Sequence, residues 1–479
     1  MTTEQQLPKG WKIERLGDVC SPPQYGFTTK AVENGTIRLL RTTDITNGKI
    51  NWTDVPFCYE NPDNIEKYLL QDGDIVISRA GSVGVSYLIN NPPYSVFASY
   101  LIRFQPFINK KYFYFFLKSL AYWKQISENS VGIAIPNVNS SKLKNILIPV
   151  APEETQQAIV NKIESLFDEI DEGIGRLKTA AQQIQQYRQS LLKNAFNGEL
   201  TKEWRSKHED TLPSENELLA QIQTTREQHH AQQLADWQTA VSQWEQNGKE
   251  GKKPSKPSTL KKLESIEKLN EIELTELPDG WFWGRLGLMT LGVEYGTSAK
   301  SQPEGKVPVL RMGNMQNGKI DWTDLVYSDN DEEIKQYSLK KGDVLFNRTN
   351  SPELVGKTSI IETDEKAIFA GYLIRINHLT EITDGRYLTY FLNSMIAKKY
   401  GNFVKTDGVN QSNINGQKLI NYPFVFCSLE EQKEVANILE QKLTACDQVA
   451  DELAKQLKQA ELLKQAVLKA AFSGSLLDK

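Results

Sequence analysis

The chain has 479 residues, of which 39% are hydrophobic and 24% are charged, as expected for a folded protein of more than one domain and not for a disordered chain. Its net charge of −4 and pI of about 5.9 argue against a uniformly basic nucleic-acid binder. We find neither an export signal nor an apolar run of membrane-spanning length, so we expect a cytoplasmic protein. Four histidines leave little material for a metal site, and none is predicted. Free thiols are expected at the widely spaced cysteines Cys20, Cys58, Cys427 and Cys446.

The first predicted domain covers residues 1–150. It carries 16 Lys+Arg and 12 Asp+Glu, a balance of +4, whereas residues 275–425 carry 17 and 18, a balance of −1. Short β-rich runs such as IVIS, YLIRF and ILIPV are separated by Gly, Asn and Pro turns, and residues 109–127 are predicted to form one helix. Asn47-Gly48 is expected to form a hairpin turn.

The stretch NNPPYSVF (90–97) contains Asn91-Pro92-Pro93-Tyr94, the pattern with which DNA amino-methyltransferases hold a flipped base. A methyltransferase also needs a glycine-rich S-adenosylmethionine site after a strand, and the nearest Gly-x-Gly run lies in a predicted long helix. The favoured interpretation is therefore a proline-stiffened hairpin loop, and a DNA adenine methyltransferase remains the alternative.

A long helix is predicted over 151–200. Pro152 and two glutamates suit its first turn, and Gly198 is placed as a left-handed cap. Its apolar residues recur at three- and four-residue spacing, which indicates a coiled-coil seam: Ile159, Ile163, Leu166, Ile170, Ile174, Leu177, Ile184, Leu191 and Ala195. Residues 201–274 form an insert with a Gln/Glu-rich helical stretch followed by the linker-like NGKEGKKPSKPS. This insert is expected to pack along the helices or to contact a partner.

Residues 275–426 repeat the first domain. NGKINWTD (47–54) returns as NGKIDWTD (317–324), and YGFTTK, DGDIVISR and FASYLIRF return in the same order as YGTSAK, KGDVLFNR and FAGYLIRI. Such an ordered series indicates a tandem duplication. The counterpart of the first domain's helix is predicted over 384–400, and Asn317-Gly318 is expected to be a second hairpin turn.

A second long helix is predicted over 427–479, opened by a Ser428–Glu431 capping box and closed by Gly474. Its seam comprises Val435, Leu439, Leu443, Cys446, Leu453, Leu457 and Val467. Two seams that match favour an antiparallel pair of helices; the alternative is that each helix packs on its own domain. The fold class is therefore α+β, a tandem repeat of mixed α/β domains each followed by a long helix. A helix of ~40 residues is ~60 Å long. If each domain bound its own segment of DNA, this length would cap the gap between the segments at roughly 18 base pairs.

Two similar domains suit a DNA target with two different halves. Arginine pairs with guanine and asparagine with adenine, while hydroxyls and lysines serve phosphates. Each such residue could equally be an ordinary turn or surface residue. The loops matched between the copies supply these candidate DNA contacts: Tyr25, Thr28, Thr29, Lys30, Arg41, Thr42, Thr43, Ser78, Arg79, Ser82, Tyr295, Thr297, Ser298, Lys300, Arg311, Asn314, Asn347, Arg348, Thr349 and Asn350.

The order of parts resembles the DNA-specificity subunit of type I restriction–modification systems over nearly the whole chain. The resemblance rests on GWKIERLGDV and GDIVISRAGSVG before PEETQQAIV, and on GDVLFNR before LEEQKEVANIL. The family's helix-opening Glu-Gln pair is present as Glu431-Gln432, whereas the first copy has Glu154-Thr155-Gln156.

The resemblance implies a non-catalytic subunit whose two domains are target-recognition domains for a bipartite site in double-stranded DNA. It implies that the helices act as a spacer, that two methyltransferase subunits flank it, and that motor-nuclease restriction subunits join them. No cofactor is then expected in this chain; S-adenosylmethionine, ATP and Mg belong to the partners. A helical scaffold that binds only protein is the remaining alternative.

Overall fold

The computed structural model describes residues 7–130, 138–251, 253–257, 259–260, 266, 269 and 272–478. It divides into two compact units, residues 1–181 with 451–479 and residues 182–450. In the linker-like NGKEGKKPSKPS, residues 252 and 258 lie outside the described residues, as do 261–265, 267–268 and 270–271 further along the insert. All four cysteines are buried free thiols.

The first unit contains a mixed α/β domain. Its strands are β1 (Lys12–Arg15), β2 (Gln24–Tyr25), β3 (Ala31–Val32), β4 (Arg38–Leu40), β5 (Phe57–Cys58), β6 (Ile75–Ser78), β7 (Ser86–Leu88), β8 (Ser95–Phe97), β9 (Leu101–Phe104) and β10 (Leu147–Val150). Its helices are α1 (Thr42–Ile45), α2 (Lys110–Phe116), α3 (Leu120–Ser130), α4 (Ser140–Lys144) and the start of α5 (Glu153–Phe196). The strands form an antiparallel sheet β2-β9-β6-β7, a sheet β3-β5-β4-β8 with β4 and β8 parallel, and the pair β1-β10.

Strand β6 shows why an apolar run became a central strand. Ile75 and Ile77 enter one core cluster and Val76 enters another, since alternate residues of a strand face opposite sides of the sheet. The predicted strands IVIS, YLIRF and ILIPV are confirmed by β6, β9 and β10.

The second unit repeats this topology. Its strands are β11 (Phe282–Arg285), β12 (Thr290–Tyr295), β13 (Val307–Leu310), β14 (Met315–Gln316), β15 (Lys319–Ile320), β16 (Val326–Ser328), β17 (Val344–Asn347), β18 (Thr349–Asn350), β19 (Thr358–Ile360), β20 (Ile368–Phe369), β21 (Leu373–His378), β22 (Thr406–Asp407), β23 (Ser412–Asn413) and β24 (Pro423–Phe426). Its helices are α6 (Lys202–Lys207), α7 (Glu215–Gln246), α8 (Asp331–Tyr337), α9 (Gly385–Leu392), α10 (Met395–Val404), α11 (Gly416–Ile420) and most of α12 (Leu429–Ser473) together with the end of α5. Sheets β12-β21-β17-β19, β16-β13-β20 and β11-β24 match those of the first unit, and the predicted duplication is confirmed.

Two helix predictions and one turn prediction in the repeated segments were wrong. The single helices expected over 109–127 and 384–400 are each broken into two, because Ser119 and Ser394 accept a backbone N–H in the first turn of a new helix. The hairpin expected at Asn47-Gly48 is a turn after α1 without flanking strands. By contrast, Asn317-Gly318 joins the paired strands β14 and β15 with both φ angles positive, as predicted.

Each unit pairs a segment of α5 with a segment of α12. In the first unit, Lys464 of α12 donates to Asp171 of α5. In the second, Arg188 of α5 contacts Asp447, and Arg205, further along the chain, contacts Glu431 nearer the start of α12. The order of these contacts makes the pairing antiparallel, and the predicted fold class is confirmed.

The long helices also pack on the domains. Ile163 at the start of α5 lies in the core of the first domain, and Val435 at the start of α12 lies in that of the second. Both glycine caps have positive φ, 80° at Gly198 and 86° at Gly474, as predicted. A Cβ on Gly198 would meet Pro278 at 2.3 Å, and one on Gly474 would meet Pro8 at 2.1 Å. Helix–helix pairing and helix–domain packing therefore coexist.

The predicted Ser428–Glu431 capping box is only half correct. The Ser428 hydroxyl accepts the Glu431 backbone N–H at 3.2 Å. The Glu431 carboxylate instead accepts hydrogen bonds from Thr201 (2.8 Å), Arg205 (2.6 Å) and Trp281 (2.8 Å). Glu431 is 1% exposed, and full pairing is what such a buried charge requires. The carboxylate thus joins α12 to α6 and to the start of the second domain.

The insert packs on the second domain. Leu218 and Ile222 of α7 are buried in the same core cluster as strand β11. Beyond them, the indoles of Trp237 and Trp244 donate to the carbonyls of Pro254 and Gly251, so the chain turns back along the helix.

Candidate nucleic-acid interface

An arginine of the first domain is stacked on a tyrosine. The Arg79 guanidinium lies 5.1 Å from the centre of the Tyr25 ring. The Tyr25 hydroxyl accepts the Ser140 backbone N–H at 2.9 Å, at the start of α4. This bond fixes the ring, and the ring in turn orients the guanidinium by a cation–π contact.

The second domain repeats this arrangement. The Arg348 guanidinium lies 4.8 Å from the centre of the Tyr295 ring. The Tyr295 hydroxyl accepts the Gly416 backbone N–H at 2.8 Å, at the start of α11. Arg348 also donates to the carbonyl of Gly371 at 3.2 Å. Four residues predicted in matched loops thus form two equivalent pairs.

These two arginines lack an acidic partner. Among the described residues, neither Arg79 nor Arg348 takes part in an ion pair, and the Nε atom of each is buried without a hydrogen-bond partner. Arg41 and Arg311 differ, because Asp44 lies 2.8 Å from the first and Asp324 lies 3.1 Å from the second. The hydrogen bond to Asp44 raises the pKa of Arg41. Of these four arginines, Arg79 and Arg348 are therefore the two whose charge no carboxylate neutralises.

Four of the predicted contact residues are buried. Three of them make hydrogen bonds within their own domain, and the fourth is enclosed in the core. The Ser78 hydroxyl donates to the Ala80 carbonyl at 2.9 Å, and the Thr297 hydroxyl donates to Glu333 at 2.7 Å. Asn314 holds its own loop through bonds to the carbonyls of Asp321 and Asp324. Asn347 is 0% exposed at the end of β17. In this structure these four side chains are buried, and their role in DNA contact stays a prediction.

The remaining predicted residues lie at the surface. The exposed ones are Thr28, Lys30, Thr43, Ser82, Ser298 and Lys300. The half-buried ones are Thr29, Thr42, Thr349 and Asn350. The Thr29 hydroxyl accepts the Glu60 backbone N–H at 3.2 Å, and the Thr349 hydroxyl accepts a bond from Asn413 at 2.7 Å.

Sequence reasoning missed an exposed tyrosine beside each arginine. The Arg79 backbone N–H donates to the Tyr100 carbonyl at 2.9 Å, and that of Arg348 donates to the Tyr372 carbonyl at 3.0 Å. Tyr100 is 59% and Tyr372 is 50% exposed. The available sequence signal was that both tyrosines occupy the same position in the matched segments FASYLIRF and FAGYLIRI. The structure adds that both rings are exposed, and an exposed aromatic side chain at a repeated position suggests a binding role.

The segment Asn91-Pro92-Pro93-Tyr94 connects two sheets of the first domain. It joins β7 and β8, which belong to different sheets, so the loop is not the predicted hairpin. Asn91 has a positive φ of 41°, and its backbone N–H donates to Asp72 at 2.9 Å. The Ser95 hydroxyl donates to the Pro93 carbonyl at 2.7 Å. These contacts give the segment a structural role.

In the part of the chain that the structure describes, no helix is long and apolar enough to cross a membrane. Within the same residues, no group of three or more His, Cys, Asp or Glu side chains is placed to hold a metal ion.

Two domains of one topology, each with a tyrosine-stacked arginine and a long helix, define a duplicated protein with an equivalent candidate site in each domain. The family model described as "Type I restriction modification DNA specificity domain" matches residues 8–178 and 295–459, more than half of the chain. The chain therefore belongs to this family. It is a non-catalytic DNA-recognition subunit of a restriction–modification assembly, and the methyltransferase interpretation is not favoured.

Individual relatives agree with this assignment. The chain is 26% identical to the type I restriction enzyme EcoKI specificity subunit of Escherichia coli K12, over 98% of this chain and 90% of that protein. It is 24% identical, with the same coverage, to the StySPI specificity subunit of Salmonella potsdam.

Solved structures show the same fold. A chain from "Structural basis underlying complex assembly and conformational transition of the type I R-M system" superposes with a TM-score of 0.67 at 18% identity, covering 99% of this chain and 100% of that one. The HsdS subunit from Thermoanaerobacter tengcongensis gives a TM-score of 0.52 at 18% identity and the same coverage.

Proposed function

We propose that each globular domain reads one half of an asymmetric, bipartite sequence in double-stranded DNA, and that α5 and α12 set the gap between the halves. The observation that carries this proposal is the recurrence of one arrangement, Arg79 on Tyr25 and Arg348 on Tyr295, in two domains of unequal sequence. A duplicated site with unequal surroundings suits two half-sites that differ in sequence.

The chemistry of the pair supports DNA as the ligand. A guanidinium without a carboxylate partner presents donors in a planar fork that matches guanine O6 and N7, or a phosphate. The tyrosine holds this fork in one orientation before DNA binds, which reduces the side-chain entropy lost on binding. Lys30 and Lys300 are exposed and follow Tyr25 and Tyr295 by five residues in the chain, and they would contact DNA phosphates.

The long helices offer surface for partner subunits. Leu462 and Leu463 are 60% and 52% exposed in the first unit, and Tyr187 and Val449 are each 46% exposed in the second. Such side chains on helices favour a protein partner over water. We assign this surface to two methyltransferase subunits, joined by motor-nuclease restriction subunits, in the cytoplasm. S-adenosylmethionine, ATP and Mg would then be bound by those partners, and this chain would carry no cofactor of its own.

The proposal is tested with the chain assembled with its methyltransferase subunits. Arg79→Met and Arg348→Met should each weaken specific DNA binding about 5- to 150-fold, the range that corresponds to loss of one good arginine–base contact. The matched controls are Arg41→Met and Arg311→Met, which remove arginines already paired with acids and should change binding less.

Salt dependence separates the possible roles of each arginine. A lost phosphate contact lowers the slope of log K against log salt by about 0.9, whereas a lost base contact changes the preferred sequence. Wild-type binding that is insensitive to salt and to sequence would favour the protein-only scaffold. Variants at Arg79 and Arg348 that bind and direct methylation as the wild type does would contradict the assigned role of the pairs.

A further inference from the structure

A β-hairpin of the second domain projects beside Arg348. Strands β22 and β23 pair antiparallel, with Asp407 opposite Ser412, and Gly408 donates its backbone N–H to the Gln411 carbonyl at 2.7 Å. The Ser412 hydroxyl donates to Asp407 across the ribbon. Val409 and Asn410 therefore stand at the tip of a short, hydrogen-bonded ribbon.

The base of this ribbon is fixed next to the stacked arginine. Strand β18, which directly follows Arg348, pairs with β23, and the Asn413 side chain donates to Thr349 at 2.7 Å. The Ile414 backbone N–H donates to the Arg348 carbonyl at 2.9 Å. Through Gly416 the same chain segment also holds the Tyr295 hydroxyl. The ribbon, the arginine and its tyrosine thus form one connected unit.

The tip is exposed and uncharged. Val409 is 100% exposed, and Asn410 and Gln411 are exposed with no hydrogen bond from their side chains to any described residue. Charge lies only lower on the ribbon, where Lys405 is 3.6 Å from Asp407 and Lys418 donates to Thr406 at 2.6 Å. A ribbon that gripped phosphates would carry cations at its tip, so this distribution favours a different target.

We infer that the 406–413 ribbon enters the major groove and reads A·T base pairs in the half-site of the second domain. The inference rests on the proposed function. Side-chain amides pair with adenine N6 and N7, and an apolar side chain contacts the thymine methyl group, which are the two chemistries that the tip presents. The strands of a ribbon lie about 4.8 Å apart, and a major groove about 12 Å wide admits a two-stranded ribbon.

The test uses the assembled complex, a library of randomised DNA sites and methylation as the readout. The double variant Asn410→Ala/Gln411→Ala should lose about tenfold or more of the discrimination at one or two A·T pairs. Those pairs should lie in one half-site, and the other half-site should be unchanged. Gln336→Ala, which removes an exposed amide from α8 of the same domain, is the matched control and should leave both halves as in the wild type.

The outcomes are distinguishable. An unchanged sequence preference in both halves would overturn the ribbon's role, as would loss of methyltransferase binding without a change in sequence preference. If the double variant unfolds at a lower temperature than the wild type, Val409→Ala is used in its place. The expected result for Val409→Ala is a lost preference for thymine in the half-site of the second domain. Failure of the wild-type complex to methylate any defined sequence would instead refute the proposed function itself.

Discussion

Replacement of Glu431 by alanine tests the joint between α12 and the second domain. The substitution removes the acceptor of three hydrogen bonds and leaves Arg205 and the Trp281 indole without their shared partner. Glu431 is 1% exposed and the side chain of Arg205 is 17% exposed, so water screens the pair weakly. Removing one member of a buried charge pair costs about 3–5 kcal/mol, and we expect Glu431→Ala to lower the free energy of unfolding by this amount.

The assay is urea unfolding of the full chain followed by tryptophan fluorescence, with a double-mutant cycle that adds Arg205→Met. Because the double variant no longer buries an unpaired guanidinium, its loss should be smaller than the sum of the two single losses by about 1–3 kcal/mol. Thr155→Ala is the control, since Thr155 occupies the equivalent position before Gln156 and its side chain makes no hydrogen bond to another residue that the structure describes. A loss below about 1 kcal/mol for Glu431→Ala, or strict additivity in the cycle, would show that Glu431 and Arg205 do not form a stabilising buried pair.

Further predictions concern the helix ends and acid stability. Gly474→Ala should destabilise the first unit by about 2–4 kcal/mol, because a residue with a Cβ would have to adopt a φ of 86° and its Cβ would clash with Pro8. Thermal unfolding measures this loss. An unchanged unfolding temperature would contradict the packing of the end of α12 against Pro8. Gly173→Ala in the same unit meets no atom within 4 Å and should stabilise α5 by about 0.5–1 kcal/mol. Burial lowers the pKa of His378, so the unfolded chain takes up a proton more readily and stability falls as the pH drops below about 6.5, by at most about 1.4 kcal/mol per pH unit. Urea midpoints of wild type and His378→Gln at pH 7.5 and 5.5 check this, and an equal acid sensitivity of both would exclude His378 as the cause.

The architecture could be predicted from the sequence because each short motif recurs in the same order in the second copy. A pattern too weak to interpret alone became informative when it was found twice. Strands β6, β9 and β10 were evident from apolar runs, and the long helices were evident from their seams and glycine caps. The breaks at Ser119 and Ser394 were missed because apolar residues continue across them and only a hydroxyl cap marks the new helix. Tertiary context decided the role of Glu431, whose carboxylate meets partners up to 230 residues away in the chain.

The candidate site was harder to predict from the sequence than the fold. Matched loops pointed to Arg79 and Arg348, but equally to Arg41 and Arg311, and only the positions of Asp44 and Asp324 separate the two pairs. The 406–413 ribbon lies outside the repeated segments on which the sequence prediction of DNA contacts was based. Its importance depends on pairing with β18, which is a contact between residues more than 60 positions apart.

The most direct test of the account is an exchange of the first domain. Residues 7–150 are replaced by the equivalent segment of a relative with another specificity, and the methylated sites of the assembled complex are mapped across a genome. If each domain reads its own half, a new sequence appears in one half of the site, while the other half and the gap stay unchanged. A change in both halves, or none in either, would contradict the claim that each domain reads its own half.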